Sequence, residues 1–118
     1  MFARELLPIL GPGAALAVIG SVSATATAAG TTQAAGTPIT TVNTMATTGT
    51  EGQGFLLPAS MQAGDAGRFC NGTTASLLLY PTSGGKINNQ AANTPVVVAA
   101  GKAVTFTYVT GSDVIVTF

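Results

Sequence analysis

Short runs of β-type residues, separated by turn residues, recur from Thr37 onward and constrain the fold more than any other feature. In 102–109, valine, phenylalanine and tyrosine alternate with threonine, and 113–118 repeats an apolar alternation after a Thr-Gly-Ser turn. A period of two places alternate side chains on opposite faces of a strand. No helical period accompanies these runs. The sequence therefore predicts an all-β domain, a small antiparallel sandwich or barrel of the jelly-roll type.

The same criteria predict further strands, bounded by glycine, proline and asparagine. They are expected at 37–45, 53–57, 67–71, 75–80, 86–88 and 95–99. The Asn71-Gly72 step is typical of a hairpin turn, which predicts that 67–71 pairs with 75–80. No internal repeat of the kind that marks a solenoid is recognisable.

The N-terminal segment has a different character. A charged start at Arg4 and Glu5 precedes an apolar run, and small residues with Ala-x-Ala steps follow at 21–29. This is the tripartite pattern of an export signal. The apolar run is too short and too broken by glycine and proline to span a bilayer, which needs about 20 residues, and we expect no membrane partner. We divide the chain into an apolar arm with an Ala/Thr/Gly linker (1–36) and a β domain (37–118).

Composition favours a protein whose surface is covered by neighbours. Charged residues make up 7% of the chain and the formal net charge is zero, against a usual charged fraction of roughly a quarter. A surface of threonine, serine, asparagine and alanine is poor at keeping monomers apart. The basic residues are scattered, which argues against nucleic-acid binding: Arg4, Arg68, Lys86 and Lys102. Asp65 and Arg68 are predicted to pair across a loop.

No catalytic constellation is recognisable. The chain has no histidine and a single cysteine, Cys70, so the commonest general base and metal ligand is missing. Glu51 and Asp65 have no cleft assigned to them, and the glycine-rich 49–54 lacks the lysine and helix of a phosphate loop. We expect no enzyme activity, no cofactor and no metal. Asn71–Thr73 matches a glycosylation sequon, which we interpret as a turn.

Four segments carry a family resemblance. They read GFLLP at 54–58, NGT at 71–73, LYPTSGGKIN at 79–88 and AAGKAVTF at 99–106. In this order they resemble a small β domain of tailed bacteriophages, found in head decoration (cement), head-fibre and related virion proteins. Such domains often finish with a tryptophan-containing segment, whereas this chain has DVIVTF there. The resemblance does not extend to 1–49.

The resemblance implies a structural protein of the virion, made in the host cytoplasm and bound to the outer capsid surface. It implies the major capsid protein and further copies of itself as partners, commonly in a homotrimer. We expect the arm to clamp neighbouring capsid subunits through its apolar side chains, namely Phe2, Leu6, Leu7, Ile9, Leu10, Leu16, Val18 and Ile19. The expected oligomer contacts are Tyr80, Phe106, Tyr108, Ile115 and Phe118.

Two alternatives remain open at this stage. The domain could be a head- or tail-fibre module that contacts host glycans through a groove at Tyr80, Asn88 and Asn89. It could also be an exported surface protein that retains its signal peptide.

Overall fold

The computed structural model describes residues 21–118, which form ten strands and no helix. The strands are β1 (Val22–Thr27), β2 (Thr37–Pro38), β3 (Asn43–Thr48), β4 (Gly54–Leu56), β5 (Ala66–Asn71), β6 (Leu77–Tyr80), β7 (Lys86–Ile87), β8 (Val96–Val98), β9 (Ala103–Tyr108) and β10 (Asp113–Thr117). Six of them form a larger sheet in the order β1-β3-β5-β9-β10-β7. The other four form a smaller sheet in the order β2-β4-β6-β8. The predicted all-β class is confirmed.

The first six strands alternate between the sheets, and this alternation stacks the chain in coils. The odd-numbered strands β1, β3 and β5 pair in parallel in the larger sheet, with Val22 opposite Asn43 and Asn43 opposite Arg68. The even-numbered strands β2, β4 and β6 pair in parallel in the smaller sheet. Each odd strand and the even strand after it therefore form one coil of a solenoid-like stack. The predicted antiparallel jelly-roll sandwich is wrong here, because consecutive strands enter different sheets instead of pairing with each other.

The last four strands end the stack with mainly antiparallel pairing. β8 runs antiparallel to β6, and β9 runs antiparallel to β5. β9 and β10 form the hairpin that their alternation predicts, with Phe106 opposite Val116. β7 lies parallel to β10 at the edge of the larger sheet.

Two local predictions need correction. The hairpin expected between 67–71 and 75–80 does not form, because β5 belongs to the larger sheet and β6 to the smaller one. The chain after Asn71 turns a corner between sheets instead of reversing within one. Residues 22–27, assigned to the linker, form β1 and pair with β3. The expected boundary at residue 36 thus falls between two strands of the same coil.

The core lies between the two sheets and is almost entirely apolar. The rings of Phe55 in the smaller sheet and Phe69 in the larger sheet meet with their centroids 5.0 Å apart. Phe106 contributes a third fully buried ring. Full burial of a side chain of this size stabilises a fold by about 1.5–3 kcal/mol. This core sets the geometry of the outer faces, since every strand side chain that points away from it meets solvent or a partner.

Candidate binding surface

The outer face of the larger sheet carries exposed apolar side chains on three strands. Val22 on β1 is 65% exposed, Met45 on β3 is 40% exposed and Ile115 on β10 is 50% exposed. Met45 lies next to the buried Thr44, and Ile115 lies between the buried Val114 and Val116, so strand alternation explains their outward direction. Val22 and Met45 lie on adjacent strands, and contiguous apolar side chains on one sheet face are typical of a surface that a partner covers.

Part of this face is depressed into a shallow groove with a volume of about 270 Å³. It crosses four adjacent strands, β1, β3, β5 and β9, and its lining includes the apolar side chains of Val22, Ala24, Met45 and Ala103 together with the half-buried thiol of Cys70. The volume is below the roughly 300–1,000 Å³ of typical small-molecule pockets.

Arg68 is the charged residue of the groove lining. Its Nε donates to the Oδ1 of Asn43 at 3.4 Å, and the side chain is exposed. The predicted pair with Asp65 is not seen, because an Asp65 carboxylate oxygen accepts the backbone N–H of Gln62 at 2.9 Å. The groove thus presents a cation on a lining that is otherwise uncharged and mostly apolar.

The chain enters this face at Ser21, which is held in place by β3 and the residue before it. The Ser21 hydroxyl accepts the backbone N–H of Val42 at 2.8 Å. Its carbonyl accepts the backbone N–H of Asn43 at 3.0 Å and the Asn43 side-chain amide at 3.3 Å. The point from which residues 1–20 extend is therefore fixed at the rim of the groove.

The predicted site residues fall into three groups. The apolar arm residues, Phe2, Leu6, Leu7, Ile9, Leu10, Leu16, Val18 and Ile19, lie outside the described residues. Ile115 and Phe118 are 50% and 66% exposed, so a second copy can reach them. Tyr80, Phe106 and Tyr108 are at most 7% exposed and belong to the interior of the single chain.

Tyr80 shows why the expected oligomer contacts and glycan groove need correction. Its ring lies over Gly54, where an added Cβ would come within 2.9 Å of it. Its hydroxyl donates to the carbonyl of Thr31 at 3.4 Å, within the segment that precedes β2. The side-chain amide of Asn88 forms hydrogen bonds with the backbone of Val116. Tyr80 and Asn88 are therefore engaged within the chain and do not line an open groove.

The described residues hold few groups suited to chemistry. No cluster of three or more cysteine, aspartate or glutamate side chains in 21–118 could hold a metal ion. The glycine-rich 49–54 forms a turn in which the Gln53 side chain accepts the N–H of Thr50 at 2.8 Å. Asn71 of the sequon is fully buried. Burial, and secondarily the Asp65 carboxylate, raises the pKa of Tyr108 far above its usual value.

Sequence reasoning missed the groove because it missed β1. In 22–27 valine and alanine alternate with serine and threonine. This is the period of two that a strand has, although most of the side chains are small. This alternation was the available sign that the segment belongs to a sheet.

No helix in residues 21–118 is long and apolar enough to cross a membrane. Comparisons with models of known families, with curated proteins and with solved structures found no match to this chain.

Proposed function

We propose that this chain is a bacteriophage capsid decoration protein that binds the outer surface of the head. The observation that carries the proposal is the position of Ser21, which anchors an apolar N-terminal arm at the rim of an apolar sheet face. A rigid β body with such an arm suits a structural role at a protein surface. The resemblance of about residues 50–118 to virion β domains supports the same interpretation.

In this proposal the arm binds the capsid, and the β domain forms the oligomer that brings several arms together. The apolar residues between Phe2 and Ile19 would clamp neighbouring major capsid proteins. A homotrimer brings its arms together, so that once one arm is bound the others bind at a high effective concentration. Ile115 and Phe118 are the proposed self-contacts, because they remain exposed in the single chain. No catalysis, cofactor or nucleic acid is part of this role.

Particle composition tests the proposal directly. Particles from the source of the gene are purified on a density gradient, and this chain is quantified by mass spectrometry against the most abundant capsid protein. Hundreds of copies per particle, with an intact N-terminal arm, are the expected result. A handful of copies would point to a fibre module instead. Absence from particles, with the mature chain starting near Gly30, would identify an exported surface protein and overturn the proposal.

The arm is tested in the full chain by substitution. Replacing Leu6, Leu7, Ile9 and Leu10 with serine removes apolar area without shortening the protein. Binding to heads stripped of this protein should fall by more than tenfold, measured by co-sedimentation. A matched variant with serine at Val97, which is 56% exposed on the smaller sheet, should bind as wild type does. Equal binding of both variants would contradict the role of the arm.

A further inference from the structure

We propose that the groove on the larger sheet binds a segment of the major capsid protein that carries an aspartate or glutamate close to an apolar residue, and that Arg68 binds this carboxylate. The inference rests on the proposed function, because it takes the capsid as the partner. It goes beyond that function by assigning a second contact, separate from the arm, and by stating the chemistry of the segment that fills it.

Arg68 is oriented by two successive hydrogen bonds. The side-chain amide of Asn43 donates to the backbone carbonyl of Ser21 at 3.3 Å, which directs its Oδ1 away from Ser21. That Oδ1 accepts the Nε–H of Arg68 at 3.4 Å. The strand register agrees with this contact, since Asn43 and Arg68 lie opposite each other on β3 and β5. The guanidinium is therefore positioned in the groove before a partner binds.

The two terminal nitrogens of Arg68 remain available for a ligand. Asn43 engages only Nε, and no carboxylate of residues 21–118 forms an ion pair with the guanidinium. The nearest acidic residue along the chain, Asp65, accepts the backbone N–H of Gln62 instead. A guanidinium binds a carboxylate through two parallel N–H···O hydrogen bonds, which the two terminal nitrogens can donate. A carboxylate that complements this cation therefore has to come from a partner.

The side chains around Arg68 favour a protein as that partner. The described lining includes Val22 and Met45 and contains no lysine, aspartate or glutamate. Protein–protein interfaces are enriched in arginine and methionine and depleted in lysine and acidic residues. Arginine also contributes strongly to binding where neighbouring contacts exclude water. Val22 and Met45 are both exposed and supply the apolar surface for such contacts.

The shape of the groove suits an extended segment. It crosses β1, β3, β5 and β9, and neighbouring strands lie about 4.7–4.9 Å apart, so its width is about 14 Å. About four extended residues cover this distance. Alternate side chains of such a segment face the groove. One acidic side chain can therefore bind Arg68 while an apolar side chain within two positions of it contacts Met45 or Val22.

Co-sedimentation of the full chain with heads stripped of this protein tests the contact. Arg68→Ala should bind about tenfold more weakly than wild type, and Arg68→Glu should bind more weakly still, because it repels the carboxylate. Arg68→Lys keeps the charge but loses the paired donors, so its affinity should lie between those of wild type and Arg68→Ala. Lys102→Ala removes an exposed cation outside the groove and should bind as wild type does.

A second measurement identifies the partner residue. Arg68→Lys places a primary amine in the groove, and a carbodiimide condenses an amine with a carboxylate in direct contact to form an amide, taking up the water that is released. Mass spectrometry of the treated complex should find this amine joined to an aspartate or glutamate of the capsid protein, with an apolar residue within two positions. Wild type still has Lys86 and Lys102, and after the same treatment it should lack this product.

The possible results separate the groove contact from decoration itself. If wild type binds heads and Arg68→Glu binds equally well, the groove contact is wrong and decoration stands. An amide to a second copy of this chain, without one to the capsid protein, would also overturn the contact, since the groove would then join copies of the protein. If wild type does not bind heads, decoration and the contact that rests on it both fail.

Discussion

The side-chain amide of Asn71 donates a 2.8 Å hydrogen bond to the backbone carbonyl of Val98 and ties the end of β5 in the larger sheet to β8 in the smaller sheet. A second donation reaches the carbonyl of Ala75 at 2.7 Å. The side-chain Oδ1 of Asn71 accepts both the backbone N–H and the hydroxyl of Thr73. One fully buried polar side chain thus supports the corner where the chain passes between sheets.

Replacing Asn71 with alanine should destabilise the protein by about 2–4 kcal/mol, because buried backbone groups lose their partners. Urea denaturation followed by circular dichroism measures the change. Gln90→Ala, at an exposed position, is the control and should cost less than about 0.5 kcal/mol. A loss for Asn71→Ala no larger than that of the control would contradict the role assigned to this corner.

The Tyr108→Phe variant should lose less stability at alkaline pH than wild type. Burial raises the pKa of Tyr108 in the folded protein, while the unfolded chain releases the same proton near pH 10. The favourable contribution of the neutral phenol is therefore fully present below about pH 10 and is lost as the pH rises above it.

Denaturation at pH 8 and pH 11 measures this difference. At pH 8 the variant should be less stable by about 1 kcal/mol, since the hydroxyl of Tyr108 donates to the carbonyl of Pro58. Between pH 8 and pH 11 the free energy of unfolding should fall less for the variant than for wild type. Tyr80→Phe is the control. It leaves Tyr108 in place, so its free energy of unfolding should fall between pH 8 and pH 11 as it does in wild type. Identical pH dependence of wild type and Tyr108→Phe would refute the prediction.

Local patterns predicted strands well where alternation involved large side chains. The hairpin of β9 and β10 follows from Val104, Phe106 and Tyr108 against threonine, because that spacing leaves one apolar face for a core. β1 was missed because alanine and valine alternate there with serine and threonine, and the burial contrast between its two faces is small. Its assignment requires the pairing of Val22 with Asn43, which sequence spacing does not encode.

The stacking of coils was not predictable from a repeat, because the coils differ in length. In each sheet, paired residues of adjacent coils are one coil apart along the chain. Asn43 lies opposite Arg68 in the larger sheet and Thr37 lies opposite Phe55 in the smaller sheet, so these two coils contain different numbers of residues. Unequal spacings erase the periodicity that identifies a solenoid. The turn at Asn71 was also ambiguous, because an Asn-Gly step serves a hairpin or a corner equally well and the choice depends on distant strands.

Close packing over Gly67 predicts a strong effect of a single methyl group. A Cβ on Gly67 would lie 2.5 Å from the Cζ of Phe106 and 2.7 Å from the carbonyl oxygen of Val42. Gly67→Ala should therefore cost about 1–3 kcal/mol through overpacking. Gly111→Ala is a matched control, since its Cβ would meet a neighbour no closer than 3.3 Å. Thermal denaturation of both variants compares the two costs, and equal melting temperatures would contradict this packing.

Exposed apolar groups at the end of the chain predict its self-association. If Ile115 and Phe118 form the proposed self-contact, Ile115→Ser/Phe118→Ser should shift the protein toward a monomer of 11.6 kDa in sedimentation experiments. Val97→Ser removes a similarly exposed side chain from the other sheet and should leave the oligomer intact. An unchanged mass for the double variant would place the self-contact elsewhere.

The Asn88 side chain forms two hydrogen bonds with the backbone of Val116 in β10, at the edge of the larger sheet. Its Oδ1 accepts the N–H of Val116 at 2.9 Å, and its Nδ2 donates to the carbonyl of Val116 at 3.1 Å. Its backbone has a positive φ of 52°, a conformation that glycine adopts readily. Asn88→Gly therefore removes the two hydrogen bonds without straining the backbone.

The amide of Val116 should consequently exchange with deuterium faster in Asn88→Gly than in wild type, by tenfold or more, as measured by NMR. Asn89→Gly is the matched control. Asn89 also has a positive φ, 59°, but its side chain makes no hydrogen bond to the described residues. Exchange at Val116 should be unchanged in that variant. Equal acceleration in both variants would show that the backbone conformation, and not the Asn88 amide, protects the end of β10.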